Sequence, residues 1–177
     1  TSTLNALKDL EIPIGISVTL DVDVSLNVAR KIIVKGTLNG ASKKLDLGAG
    51  TLDVTGSVAL DSLICTTGSI LTINPGSTIN LDVLKNTGNL LSLSEGTFNI
   101  SDAIEITLGY VKIASNALIN LSDSCQIKLQ GGKLQNLTSQ ILTTKPNIQL
   151  SGNADSLNIS DLNLPSSVLN SITLDFI

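Results

Sequence analysis

Histidine, tryptophan and methionine are absent from this 177-residue chain, and arginine occurs once, at Arg30. Without histidine there is no Ser-His or Cys-His nucleophile pair and no imidazole ligand for zinc. Aromatic residues make up 2% of the sequence and the net charge is −4, so a nucleic-acid binder's basic stripe and stacking aromatics are both missing. No apolar run reaches the roughly 20 residues of a membrane-spanning helix, so no membrane span is expected. The chain begins at Thr1 rather than a methionine. That fits an exported product whose signal peptide has been removed, although a trimmed chain would look the same.

What is present is aliphatic. Hydrophobic residues make up 42% of a length that suits one domain, and they run throughout, so the low charge (15%) does not signal disorder. With one Tyr and two Phe, the core must be Leu, Ile, Val and Ala. Such a palette suits many thin repeated layers better than one bulky centre.

Those layers are visible as a repeat. Blocks opening with Gly-Ser or Gly-Thr begin at Gly36, Gly56, Gly76 and Gly96, a period of 20 residues. A second glycine recurs inside them at Gly48, Gly68 and Gly88, and at Gly109 after one extra residue. Residues 16–35 fit in front and 116–135 behind. Within each block apolar residues alternate, as in Ile79 and Leu81 around Asn80, which reads as short strands broken by turns. The best helical candidate is TLNALKDL, with Leu4, Leu7 and Leu10 at three-residue spacing. An antiparallel meander needs no fixed period. A stack of parallel coils tends to repeat its turn residues.

The expected fold is therefore all-β: a single parallel β-solenoid of about 20-residue coils, roughly seven to nine of them, rising about 4.8 Å per coil into a rod of about 40 Å. Regular coils are expected over residues 16–136. Residues 1–15 would be an N-terminal cap or joining segment, and 137–177 an irregular β tail with the same role. The stretch ILTINPGSTINL (70–81) is the sharpest test. If Asn-Pro-Gly-Ser were a hairpin, Ile79 and Leu81 would pair antiparallel with Leu71 and Ile73. If it is a corner, they stack on Phe98 and Ile100 one coil on.

Several residues are candidates for chemistry. Asp61, Asp82, Asp102 and Asp123 recur once per coil. Stacked in register they would form either a calcium-binding ladder of carboxylates or a row of turn acids accepting backbone N–H bonds. No other cofactor is expected. Asn80, Asn99 and Asn120, with Asn39 earlier, lie between inward positions and should face outward. Asn99, Asn120, Asn136 and Asn158 each begin a glycosylation sequon, a number that chance alone would give in a chain so rich in Asn, Ser and Thr. Cys65 and Cys125 fall at the same block position three coils apart, about 14 Å by rung spacing and too far for an internal bridge. They would be either free small residues or partners in an intermolecular disulfide. A six-residue acyltransferase repeat is absent, and one Arg cannot line a groove for acidic polysaccharides. Outward Thr rows for ice binding do not form. A paired-carboxylate glycosidase is the one enzymatic arrangement left open, and the chain is not expected to be an enzyme.

Runs such as GTLDVTGSVAL and GSILTINPGSTINLDV resemble the repeats of bacterial and archaeal surface β-solenoid proteins, as in autotransporter passenger domains and filamentous-haemagglutinin-like adhesins. The resemblance spans roughly residues 16–136 and implies an exported rod for adhesion or display. Those relatives are far longer and carry a translocating barrel. A short solenoid looks more like an assembly subunit of a fibre, sheath or surface layer, and the short β-helix polymers called bactofilins fit as well. The expected function is a self-assembling structural subunit at the cell surface, its partner another copy of itself. Subunit contacts would come from Leu4, Ile12 and Ile14 at one end and Ile172, Leu174, Phe176 and Ile177 at the other. The alternative is a monomeric adhesin or display module that takes a cell-envelope glycan or a protein on a lateral face.

Overall fold

The computed structural model describes residues 2–3, 9–26, 28–114, 116–122, 125–136, 147–150 and 173–176. Among these residues there is no helix. The first strands in chain order are β1 (Ser2–Thr3), β2 (Leu10–Ile12), β3 (Ser17–Thr19), β4 (Val24–Ser25), β5 (Lys31–Val34) and β6 (Thr37–Asp46). Next come β7 (Thr51–Val54), β8 (Ser57–Thr66), β9 (Ile70–Ile73), β10 (Thr78–Thr87), β11 (Leu90–Leu93) and β12 (Thr97–Thr107). The last are β13 (Tyr110–Ile113), β14 (Leu118–Leu121), β15 (Gln126–Gln130), β16 (Lys133–Asn136), β17 (Asn147–Leu150) and β18 (Thr173–Phe176). Leu10, the end of the helical candidate, starts a strand.

All strand pairs are parallel, and the chain winds as a β-solenoid of about six turns. Each regular turn has a long strand and a short one. The long strands β6, β8, β10 and β12 bend midway, where the ladder register shifts between Gly40 and Lys44 and between Leu81 and Val83. In β8 the buried phase also changes there, from Val58 and Leu60 to Leu63 and Cys65. One long strand thus supplies two faces of the coil, and the short strands β5, β7, β9, β11, β13 and β16 supply the third.

The inward columns follow from alternation. On the first face Leu38, Val58, Ile79, Phe98 and Ile119 stack in register, and all are buried. Ile79 pairs with Phe98 and Leu81 with Ile100, so Asn74-Pro75-Gly76-Ser77 is a corner and not a hairpin. Each aliphatic side chain buried this way contributes about 1.5–3 kcal/mol, which an unbroken column sums along the rod.

The corners explain the glycine repeat. Thr55-Gly56 turns between β7 and β8 in two residues, and a Cβ on Gly56 would collide with the carbonyl oxygen of Gly36 in the coil below. Glycine there permits close stacking of backbones. The next corner takes four residues, and Gly76 adopts a left-handed φ of 82° with open space around it. The residue stacked above Gly56 is consequently Ser77, whose Oγ donates to the Val54 carbonyl at 2.9 Å. The 20-residue period is thus an average over corners of different length.

Among the described residues the third face is a ladder in two parts, β2-β5-β7-β9 and β11-β13-β16. A side-chain amide bridges the gap, and a second braces the corner beside it. Asn89 Nδ2 donates to the Ser69 carbonyl at 3.0 Å. Fully buried Asn86 donates through Nδ2 to the Asn89 carbonyl at 2.9 Å and the Tyr110 carbonyl at 3.2 Å. Where the earlier coils have left-handed Gly48, Gly68 and Gly88, the next has Leu108 at φ 52°, 75% exposed. Its neighbour Gly109 serves a different need: a Cβ there would press on Asn86 Nδ2 at 2.7 Å.

Candidate functional site

The bend in the long strands leaves a groove on the outer surface, with a volume of about 440 Å³, running across successive coils. Its floor is the backbone at Leu60, Leu81, Ile100 and Leu121, whose side chains point inward. One wall is the outward column before the bend, Asn39, Ala59, Asn80, Asn99 and Asn120, of which the last four line the groove. The other wall is Asp82, Ser101 and Ser122, and Ala41 also lines the groove.

The amide wall is a hydrogen-bonded ladder. Asn99 Nδ2 donates to Asn80 Oδ1 and Asn120 Nδ2 to Asn99 Oδ1, each at 2.7 Å. The ladder stops below Asn80 because Ala59 carries no amide. A primary amide has two N–H donors, so each Nδ2 of the ladder keeps one beyond the inter-rung bond. On the opposite wall Ser101 Oγ donates to Asp82 Oδ1 at 2.6 Å, and Ser122 Oγ donates to the Ser101 carbonyl. No Lys or Arg lines the groove.

The acid row is less regular than its spacing implies. Asp61 and Asp82 share a rung position, but the register shift sets both Ser101 and Asp102 against Asp82. Asp61 accepts from Ser62 Oγ at 2.7 Å, so each of these two acids is tied to a serine hydroxyl. Asp123 lies outside the described residues. Among those described, no group of three or more acidic or cysteine side chains is placed to hold a metal ion.

Both cysteines are free and fully buried. Of the two alternatives, free small residues or partners in an intermolecular disulfide, their burial favours the first. Burial, with Asp46 adding repulsion, pushes the Cys65 thiol up to about 12; burial and Asp102 push Cys125 up to about 11. Nor do they share a column. Cys65 stacks with Asn86, Ile106 and Leu129, at steps of 21, 20 and 23 residues, while Cys125 precedes Gln126 at the level of Ala103. Unequal corners undo the block alignment.

Of the end residues, Ile12 belongs to the core at 0% exposure, because alternation turns it inward from β2. Ile14, in the turn that follows, is 82% exposed. Leu174 and Phe176 lie on β18, in register with Ile148 and Leu150. Leu4, Ile172 and Ile177 lie outside the described residues. Of the sequon asparagines, Asn99 and Asn120 use their Nδ2 atoms in the ladder, and Asn136 pairs with Ile113 at the end of β16. Asn158 lies outside the described residues.

Sequence reasoning missed Asn86, although a signal existed: two residues after inward Leu84, it is an amide in an apolar phase. It also missed the groove, which depends on where the long strands bend. Comparison with protein-family models, curated proteins and solved structures finds no match.

Proposed function

We propose that the protein is a structural subunit of an extracellular filament, sheath or surface layer, built by stacking copies end to end. The observation that carries this reading is the pair of open ladder ends. Among the described strands, β1 and β18 terminate the long ladder with one neighbour each. An edge strand presents unpaired N–H and C=O groups, and a parallel ladder can continue from β18 of one copy into β1 of the next without changing direction. Exposed Ile14, beside terminal strand β2, would extend the apolar layers across the joint. On this reading β1, β17 and β18 belong to further coils, giving roughly seven to nine in all. The resemblance of the repeats to surface β-solenoids points the same way.

A second reading, a monomeric display or adhesion module, is favoured by the lateral groove. Electron microscopy and sedimentation of the purified chain test the first. Concentration-dependent rods are expected, and Ile14→Lys should shorten or abolish them with the melting temperature unchanged, since Ile14 makes little contact within the subunit. Discrete monomers at high concentration would remove the end-to-end reading.

A further inference from the structure

The groove along the bend of the long strands has the shape and chemistry of a binding site for a linear chain running parallel to the solenoid axis. We infer that its ligand is a neutral, polyhydroxylated polymer, an oligosaccharide strand. This inference rests on the lateral-face reading and does not require end-to-end stacking.

The first argument is repetition. Asn80, Asn99 and Asn120 present equivalent amides on successive rungs about 4.8 Å apart, so the wall offers the same donor and acceptor over about 10 Å. A ligand that also repeats along its length can meet all three at once, whereas a compact molecule meets one.

The second argument is preorganisation. The inter-rung bonds fix each amide plane, so its remaining N–H and lone pair are already ordered before any ligand arrives. Across the groove, the Ser101–Asp82 bond holds a carboxylate whose other oxygen can accept from a hydroxyl. Alternating donors and acceptors on two facing walls match vicinal hydroxyls, each of which both donates and accepts.

The third argument is charge. The groove wall carries Asp82 and no cationic side chain, so phosphate, sulfate and uronate chains would be repelled. An extended peptide is a poorer fit. The floor is backbone whose hydrogen bonds are used in the ladder, and the apolar residues that line the groove either turn their side chains inward (Leu60, Leu81, Ile100, Leu121) or are as short as Ala41 and Ala59, which leaves little depth for a peptide's alternate side chains.

The test uses the unglycosylated full chain and a panel of linear neutral gluco-, xylo- and manno-oligosaccharides, titrated calorimetrically. At least one series should bind, with affinity rising with length until the oligomer spans the three amides. Asn99→Ala, at the centre of the ladder, should weaken that binding at least tenfold, and Asp82→Asn should weaken it severalfold. Because Asn99→Ala also touches the fold, its melting curve is recorded, and exposed Asp82→Asn provides the variant without that complication. Repeating the titration on Ile14→Lys separates this inference from assembly, since its affinity should equal that of the parent. Absence of binding across the panel overturns the inference. So does binding unchanged in both groove variants, and so does displacement of the oligosaccharide by an extended neutral peptide of equal length.

Discussion

The two halves of each long strand are continuous in the chain, yet they solve different problems. Before the bend, β8, β10 and β12 turn Val58, Ile79 and Phe98 inward, and β10 and β12, continued by β14, carry an amide ladder outward. After the bend, the inward column holds Cys65 and Asn86, and the outward column is Lys85–Glu105–Lys128, with N–O distances of 3.5 and 3.2 Å. The first half is uniformly apolar inside and holds its outer polar groups ready in a groove. The second places a hydrogen-bonding amide in the core, where it ties down a corner, and closes its outer charges on one another. Register is therefore policed from outside by hydrogen bonds in one half, and from both sides in the other.

If the first half carries stability through close packing, truncating its largest core side chain should produce the largest effect. Phe98 is fully buried between Ile79 and Ile119. Phe98→Ala should cost about 3–5 kcal/mol in chemical denaturation, because a stack fixed by ladders above and below cannot collapse into the cavity. A loss below about 1 kcal/mol would mean that the column tolerates voids, and the contrast between the halves would fail.

Much of this architecture was legible beforehand for a simple reason. Parallel stacking repeats local chemistry at a near-constant interval, so alternation gave the inward residues and Gly-Ser/Thr gave the corners. The corner at Asn74–Ser77 and the Ile79–Phe98 register follow from that alone. What escaped was whatever depends on unequal corners. Two residues turn at Thr55-Gly56 and four at Asn74–Ser77, so block alignment drifts and misplaces Cys125 against Cys65, while the extra residue inside β12 splits the acid row at Ser101 and Asp102. The inward direction of Ile12 was available from its strand phase, but its place near the chain end suggested a joint. The amides of the groove were read as outward. Their concave setting was not legible, because a register shift inside a strand leaves no turn residue to announce it.

The titratable interior of the second half gives it a pH sensitivity that the first half's inward column lacks. Cys65 has its pKa raised from 9.0 to about 12, so above pH 9 the unfolded chain releases a proton that the folded chain retains. The unfolded state then binds fewer protons, and stability falls as pH rises from about 9 towards about 12, by at most about 1.4 kcal/mol per pH unit for this thiol. Cys125, raised to about 11, adds to the loss over the lower part of that window. Lysine and tyrosine also titrate there, so the informative quantity is the difference between wild type and Cys65→Ala. The wild-type slope should be steeper. Identical slopes would show that Cys65 ionises as readily folded as unfolded, and so is not sealed in the core.

The smallest expected effect separates the two outer columns. Glu105 sits between Lys85 and Lys128, all three partly exposed, so its ion pairs are worth a few tenths of a kcal/mol to about 1 kcal/mol. Glu105→Gln leaves two lysines on rungs either side of an uncharged residue, and the loss should shrink at high salt as the Debye length falls from about 10 Å to about 3 Å. Asn99→Ala, on the first half of the same strand β12, breaks two neutral hydrogen bonds instead, at about 0.5–1.5 kcal/mol each. That cost should be the same at about 0.1 M and 1 M salt, since no charge is screened. Denaturation of the two variants at both salt concentrations decides the matter. Equal salt dependence would mean that the amide ladder is not an independent lock on register, and that its amides are held by the neighbouring charges.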